Sequence, residues 1–82
     1  MNYFVYILYS VELDIYYKGF STDVQKRLKY HLDSRHKFTS KVKDWEIVYI
    51  KEFSTKTEAL LEERRLKKLN RNTLEKLIKK LE

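Results

Sequence analysis

The chain has no cysteine, no proline and one glycine, Gly19, among 82 residues. Without cysteine, neither disulfides nor cysteine-ligated zinc can hold the fold together. No Pro- or Gly-rich linker and no internal repeat interrupts the sequence, so residues 1–82 read as one domain near the small end of what folds unaided. No apolar run approaches the ~18 residues of a membrane span, and the N-terminus lacks the basic and apolar regions of a signal peptide. The expectation is a chain with no membrane partner, located in the cytoplasm. Its core must come from Val, Ile, Leu and an aromatic content of 15%.

Charge is present in excess and is uneven. The net charge is +6, yet residues 1–25 carry −2, residues 26–43 carry +6 and residues 44–82 carry +2. The middle window also holds both histidines, His31 and His36. A cluster of this kind suits a polyanionic partner, with nucleic acid first among them. The plainer reading is the solvated surface of a lysine-rich protein.

Two β-branched and aromatic runs, residues 3–9 (YFVYILY) and 15–20 (IYYKGF), flank a polar turn and predict an antiparallel hairpin. Ser21 or Thr22 offers an N-cap, with Thr22-x-x-Gln25 at capping-box spacing, for a helix to about residue 33. Residues 34–43 have no apolar period and predict a basic loop. A third strand is expected over residues 45–53. Thr55-x-x-Glu58 opens a helix to about residue 69, and Asn72-x-x-Glu75 has the spacing to open a last one. The order ββαβαα predicts an α+β fold, a three-stranded antiparallel-type sheet with flanking helices.

Several residues are not explained by packing alone. If the hairpin pairs with an odd register sum, such as Tyr6 opposite Tyr17, then Phe4, Tyr6 and Leu8 share a face with Ile15, Tyr17 and Gly19. Phe4 then lies over Gly19. A glycine inside a strand marks a bulge or a close backbone approach, or simply ends the strand. In the following helix, His31 lies about 20° and Arg27 about 60° from Val24 on the wheel, so both border the apolar stripe Val24-Leu28-Leu32. Each taken singly reads as a packed or snorkelling side chain. In the next helix Glu62 and Glu63 both intrude on the apolar side marked by Ala59 and Leu66. A carboxylate there needs a cation, and the wheel does not say which glutamate matters.

Taken in order, Phe4-Val5-Tyr6, Tyr17-Lys18-Gly19, Ser21-Thr22, Arg27-x-x-x-His31 and the "EALLEERRLKKLNR" segment resemble the GIY-YIG nuclease superfamily, and most closely its small single-domain members. The resemblance runs from Tyr3 to about Leu77. It selects Glu63 and Lys67 in the A-x-x-x-E-x-x-x-K segment and matches Thr39 to a threonine frequent in that branch. The chain departs where Phe-Val replaces Gly-Ile, where Lys18 replaces Ile, and where Leu32 stands in place of an Asn.

The resemblance implies a divalent-metal-dependent endonuclease that hydrolyses phosphodiester bonds in DNA with low sequence specificity. It makes Tyr6, Tyr17, Arg27 and His31 catalytic. Glu63 becomes the ligand of Mg²⁺ or Mn²⁺, a hard ion content with one or two carboxylates. Gly19 lets the strand end approach the phosphate. Lys18, Arg35, Lys37, Thr39, Lys41, Lys43 and Lys67 contact nucleic acid, DNA ahead of RNA, with Arg64, Arg65 and Lys68 on flanking phosphates. The alternative is a nucleic-acid-binding module on the same fold with little or no cleavage.

Overall fold

The computed structural model describes residues 2–32 and 42–80. Its elements are β1 (Tyr3–Ser10), β2 (Ile15–Ser21), α1 (Val24–Leu32), β3 (Glu46–Phe53), α2 (Lys56–Lys68) and α3 (Arg71–Lys79). The three strands form one antiparallel sheet in the order β2-β1-β3, as the ββαβαα reading requires. β1 is central, which is why its residues 5–8 are all buried while β2 and β3 are only partly so.

The hairpin register sum is odd, as expected, but its value differs. Tyr6 pairs with Gly19, Leu8 with Tyr17 and Phe4 with Ser21. The reason lies in the turn. Pairing Tyr6 with Tyr17 would leave a two-residue loop, Val11-Glu12, and such loops need φ > 0 at one or both positions, where Gly or Asn belong. The observed register leaves residues 11–14 in the loop, with the left-handed conformation taken by Asp14 at φ 54°. Asp14 is well suited to that conformation. β1 and β3 pair with an irregularity between Ile7 and Leu8, where the partner steps from Tyr49 to Ile47.

The sheet separates two apolar cores. On one face Val5, Ile7 and Tyr49 pack under Ala59 and Leu66 of α2 and Leu74 and Ile78 of α3. On the other, Tyr6 and Leu8 pack with Val24 of α1 and with Val42 and Trp45 of the segment leading into β3. Ser10, wholly buried, donates to the Asp44 carboxylate at 2.7 Å, and the Glu12 amide donates to the same group at 3.0 Å. That segment is thereby tied to the hairpin turn.

Two of the three expected caps move. α1 is capped by Asp23, whose carboxylate accepts from the Lys26 amide at 3.1 Å, while Ser21 braces the Asp23 backbone. α3 is capped by Asn70, which accepts from the Thr73 amide at 2.8 Å, two residues ahead of Asn72. Starting at Asn70 keeps Arg71 in the helix, where it bonds Asp14 at the hairpin tip and pairs with Glu75. The Thr55–Glu58 box forms as expected.

Candidate active site

β2 is an edge strand, and both α1 below the sheet and α2 above it reach that edge. Where they meet, a cleft of about 350 Å³ is lined by Tyr6, Tyr17, Lys18, Gly19, Phe20, Arg27, Tyr30, His31, Leu60, Glu63 and Lys67. Strand side chains alternate between faces. At a free edge both sets border the same opening, which is how Lys18 lies beside Tyr17 and Gly19.

Tyr6 is the buried centre of this cleft, 2% exposed, and shares a 3.0 Å hydrogen bond with His31 Nε2. His31 is itself 1% exposed. Its ring packs edge-on to Tyr17, with centroids 4.8 Å apart, and Trp45 in turn meets Tyr17 edge-on at 6.5 Å. Burial pushes the Tyr6 phenol well above its ordinary pKa, with the Tyr17 phenol and the Glu63 carboxylate adding to the rise and the Arg27 guanidinium opposing it. Burial raises Tyr17 as well, again against Arg27. Tyr6 is therefore a neutral phenol at physiological pH.

Gly19 has a more immediate role than the one expected from sequence. A Cβ there would stand 2.4 Å from both Cζ and Oη of Tyr6. The space a Cβ would take is filled by the phenol of the opposing strand, and Gly19 itself also lines the cleft. The glycine lets Tyr6 lie flat across β2 with its oxygen aimed at α1.

Arg27 is exposed on α1, with its guanidinium 5.1 Å from the centroid of the Tyr30 ring. Tyr30, Phe20 and Leu60 were not selected from sequence. The i+3 spacing of Tyr30 from Arg27 was the available signal.

The two glutamates of α2 part company. Glu62, 8% exposed, faces β3 and accepts from Tyr49 Oη at 2.8 Å. It also accepts from Arg65 Nε at 2.7 Å and Arg65 Nη2 at 3.0 Å. Arg65 is thus paired with Glu62 through Nε and Nη2 while its side chain stays half exposed. Glu63 faces the cleft, its side chain 20% exposed and paired with Lys67 at 3.4 Å. Of the remaining nucleic-acid candidates, Lys18 and Lys67 line the cleft. Lys43 donates to the Leu32 carbonyl at the end of α1, a position that attracts cations. Arg35, Lys37, Thr39 and Lys41 lie outside the described residues.

Among the described residues no three His, Cys, Asp or Glu side chains gather into a metal cluster. The cleft offers one carboxylate, an arginine and two lysines. Glu63 is that carboxylate, and one carboxylate is enough for a hard divalent ion that keeps most of its water, as Mg²⁺ and Mn²⁺ do.

The GIY-YIG catalytic domain family model matches residues 2–80. The chain is similar to the UPF0213 protein YazA of Bacillus subtilis, 35% identical over 90% of this chain and 75% of that protein. It is similarly related to the UPF0213 protein OB0043 of Oceanobacillus iheyensis, 35% identical over 94% of this chain and 90% of that one. Its structure resembles the solution NMR structure of the UPF0213 protein BH0048 from Bacillus halodurans, with a TM-score of 0.63 and 34% identity over 96% of this chain and 84% of that one. With the match running unbroken through all three strands and all three helices, and small UPF0213 proteins as its relatives, this chain belongs to the GIY-YIG nuclease family.

Proposed function

We propose that this protein is an endonuclease that uses Mg²⁺ or Mn²⁺ to hydrolyse phosphodiester bonds in DNA with low sequence specificity. The observation that carries the reading is convergence. Tyr6, Tyr17, Arg27, His31 and Glu63 come from four elements, α1 and α2 lying on opposite faces of the sheet, yet border one cleft.

The chain's own groups divide the work. Tyr6 is too weak an acid to ionise unaided, so as a general base it must pass on its own proton. A neutral His31 accepts that proton at Nε2 across the 3.0 Å bond while Tyr6 Oη takes one from the attacking water. The hydroxide so formed makes the new P–O bond as the P–O bond to the leaving oxygen breaks. Arg27 presents a fixed two-pronged donor to the non-bridging oxygens, where negative charge grows. Tyr17, held between His31 and Trp45, orients the phosphate. Glu63 would hold the divalent ion, which would supply positive charge to stabilise the leaving oxygen. Lys18 and Lys67 hold neighbouring phosphates, contacts that fix register without reading bases, which is the ground for low sequence specificity.

Nicking of supercoiled plasmid in Mg²⁺ tests the reading. Glu63→Ala and Arg27→Ala are each expected to slow nicking by ~10²-fold or more, the cost of removing a pre-set charge from such a site. Equal nicking by all three proteins defeats the proposal. Salt-dependent binding of DNA with no cleavage of any DNA or RNA form makes the protein a binding module instead.

A further inference from the structure

The Tyr49–Glu62–Arg65 cluster lies outside the cleft, between α2 and β3 on the sheet face that α2 covers. Its cost is evident: a buried carboxylate in a helix that could have placed a leucine there. Its neighbours suggest what it achieves. Over 13 residues α2 buries only Ala59, Glu62 and Leu66, while Leu60 and Leu61 are exposed. Ala59 and Leu66 lie within about 20° of each other on the helix, so they form a single line of contact. Apolar contact has no direction of its own, and a helix resting on one such line is free to roll about it. Glu62, about 60° to one side of that line, is tied to the sheet by the 2.8 Å bond it accepts from the Tyr49 phenol of β3, while Arg65, on the same helix, orients the carboxylate for that bond through Nε and Nη2. Glu63 stands about 40° to the other side, over β2.

We propose that Tyr49, Glu62 and Arg65 are positioning residues that set the roll of α2 and thereby aim the Glu63 carboxylate into the cleft. The inference rests on Glu63 being the metal-binding carboxylate of the proposed function. Side-chain ends lie ~5–6 Å from a helix axis, so a roll of about 15° carries the Glu63 oxygens ~1.5 Å. Productive site geometry tolerates only about 0.5 Å. The lock therefore acts on Glu63 before it acts on the fold.

The test separates stability from metal affinity. Mn²⁺ binding is measured by titration calorimetry, with thermal melting alongside, for the parent, Glu62→Leu, Tyr49→Phe and Glu63→Gln, each at a temperature where it is folded. Glu62→Leu removes the carboxylate, turns half-exposed Arg65 out to water and leaves the Tyr49 hydroxyl without its acceptor, so it is expected to melt below the parent and, where still folded, to bind Mn²⁺ ~10-fold more weakly. Tyr49→Phe keeps the ring, loses the one bond of the three that ties α2 to the sheet, and is expected to show a comparable loss. If both variants bind Mn²⁺ as the parent does while Glu63→Gln does not, the lock is a stability device alone and the inference fails with the proposed function intact. If Glu63→Gln also binds as the parent does, the ligand assignment fails and takes this inference with it.

Discussion

Replacing Gly19 with alanine tests how the hairpin holds the Tyr6 phenol. The added Cβ falls 2.4 Å from Cζ and Oη of Tyr6 and 3.0 Å from Cε1. Carbon atoms in comfortable contact stand ~3.5 Å apart, so the ring must retreat by about 1 Å. Tyr6 is 2% exposed and its oxygen is bonded to His31, so it has nowhere to go without breaking that bond and shifting its neighbours. Overpacking of this kind costs ~1–3 kcal/mol. The gain from replacing a strand glycine returns only ~0.5–1 kcal/mol. Gly19 does not have positive φ, so backbone strain adds nothing and the clash alone decides the sign. A net loss of ~1–2 kcal/mol lowers the melting temperature of a domain this size by about 5–15 °C. Nicking activity is expected to fall further than stability, because a 1 Å misplacement at reacting groups can cost ~10²-fold. Urea unfolding and plasmid nicking measure the two. In a Tyr6→Leu background the same substitution should be neutral or stabilising, a coupling visible in a double-mutant cycle. Gly19→Ala with parental stability and parental activity refutes the reasoning.

The Asp14, Asp44 and Glu62 carboxyls are all held below their usual range, chiefly by Tyr9 and Arg71, by the Glu12 amide and Ser10, and by Arg65 respectively. The folded chain therefore binds fewer protons than the unfolded one as acid is added. Their contribution to stability is complete above the ordinary carboxylate range and is lost as pH falls through the depressed values, so urea midpoints should be similar at pH 7 and pH 5 and lower at pH 3. Asp44→Asn should flatten the decline. Asn70→Ala removes the acceptor of the Thr73 amide at the start of α3 and is expected to cost ~1 kcal/mol, read as a shifted urea midpoint, whereas Asn72→Ala should cost much less.

Much of this site can be read in one dimension because its spacing is local. Arg27 and His31 sit one helical turn apart, and Tyr17 and Gly19 one strand repeat apart, so a correct assignment of helix or strand places both members of each pair together. The parity of the hairpin is readable for the same reason. Its absolute register is not, since parity allows both a two-residue loop at Val11-Glu12 and the four-residue loop 11–14, and only the left-handed preference of the single residue Asp14 favours the second. The choice between Glu62 and Glu63 fails on periodicity because both flank the buried line of α2. Tyr49 decides it, 13 residues away on another strand. The caps at Asp23 and Asn70 were hidden among other good cap formers within two residues of each, where only the tertiary bonds of Arg71 and the brace from Ser21 break the tie.

The cleft opens at a seam between two cores that share only the sheet. The aromatic and basic half of the proposed machinery answers to α1 and the segment at Trp45, and the acidic half answers to α2. Substitutions that repack one core leave the other half in register, so affinity for the ion and grip on the phosphate can drift apart by separate mutations. A lineage with this architecture can lose cleavage by relaxing α2 alone and still keep a surface that holds nucleic acid.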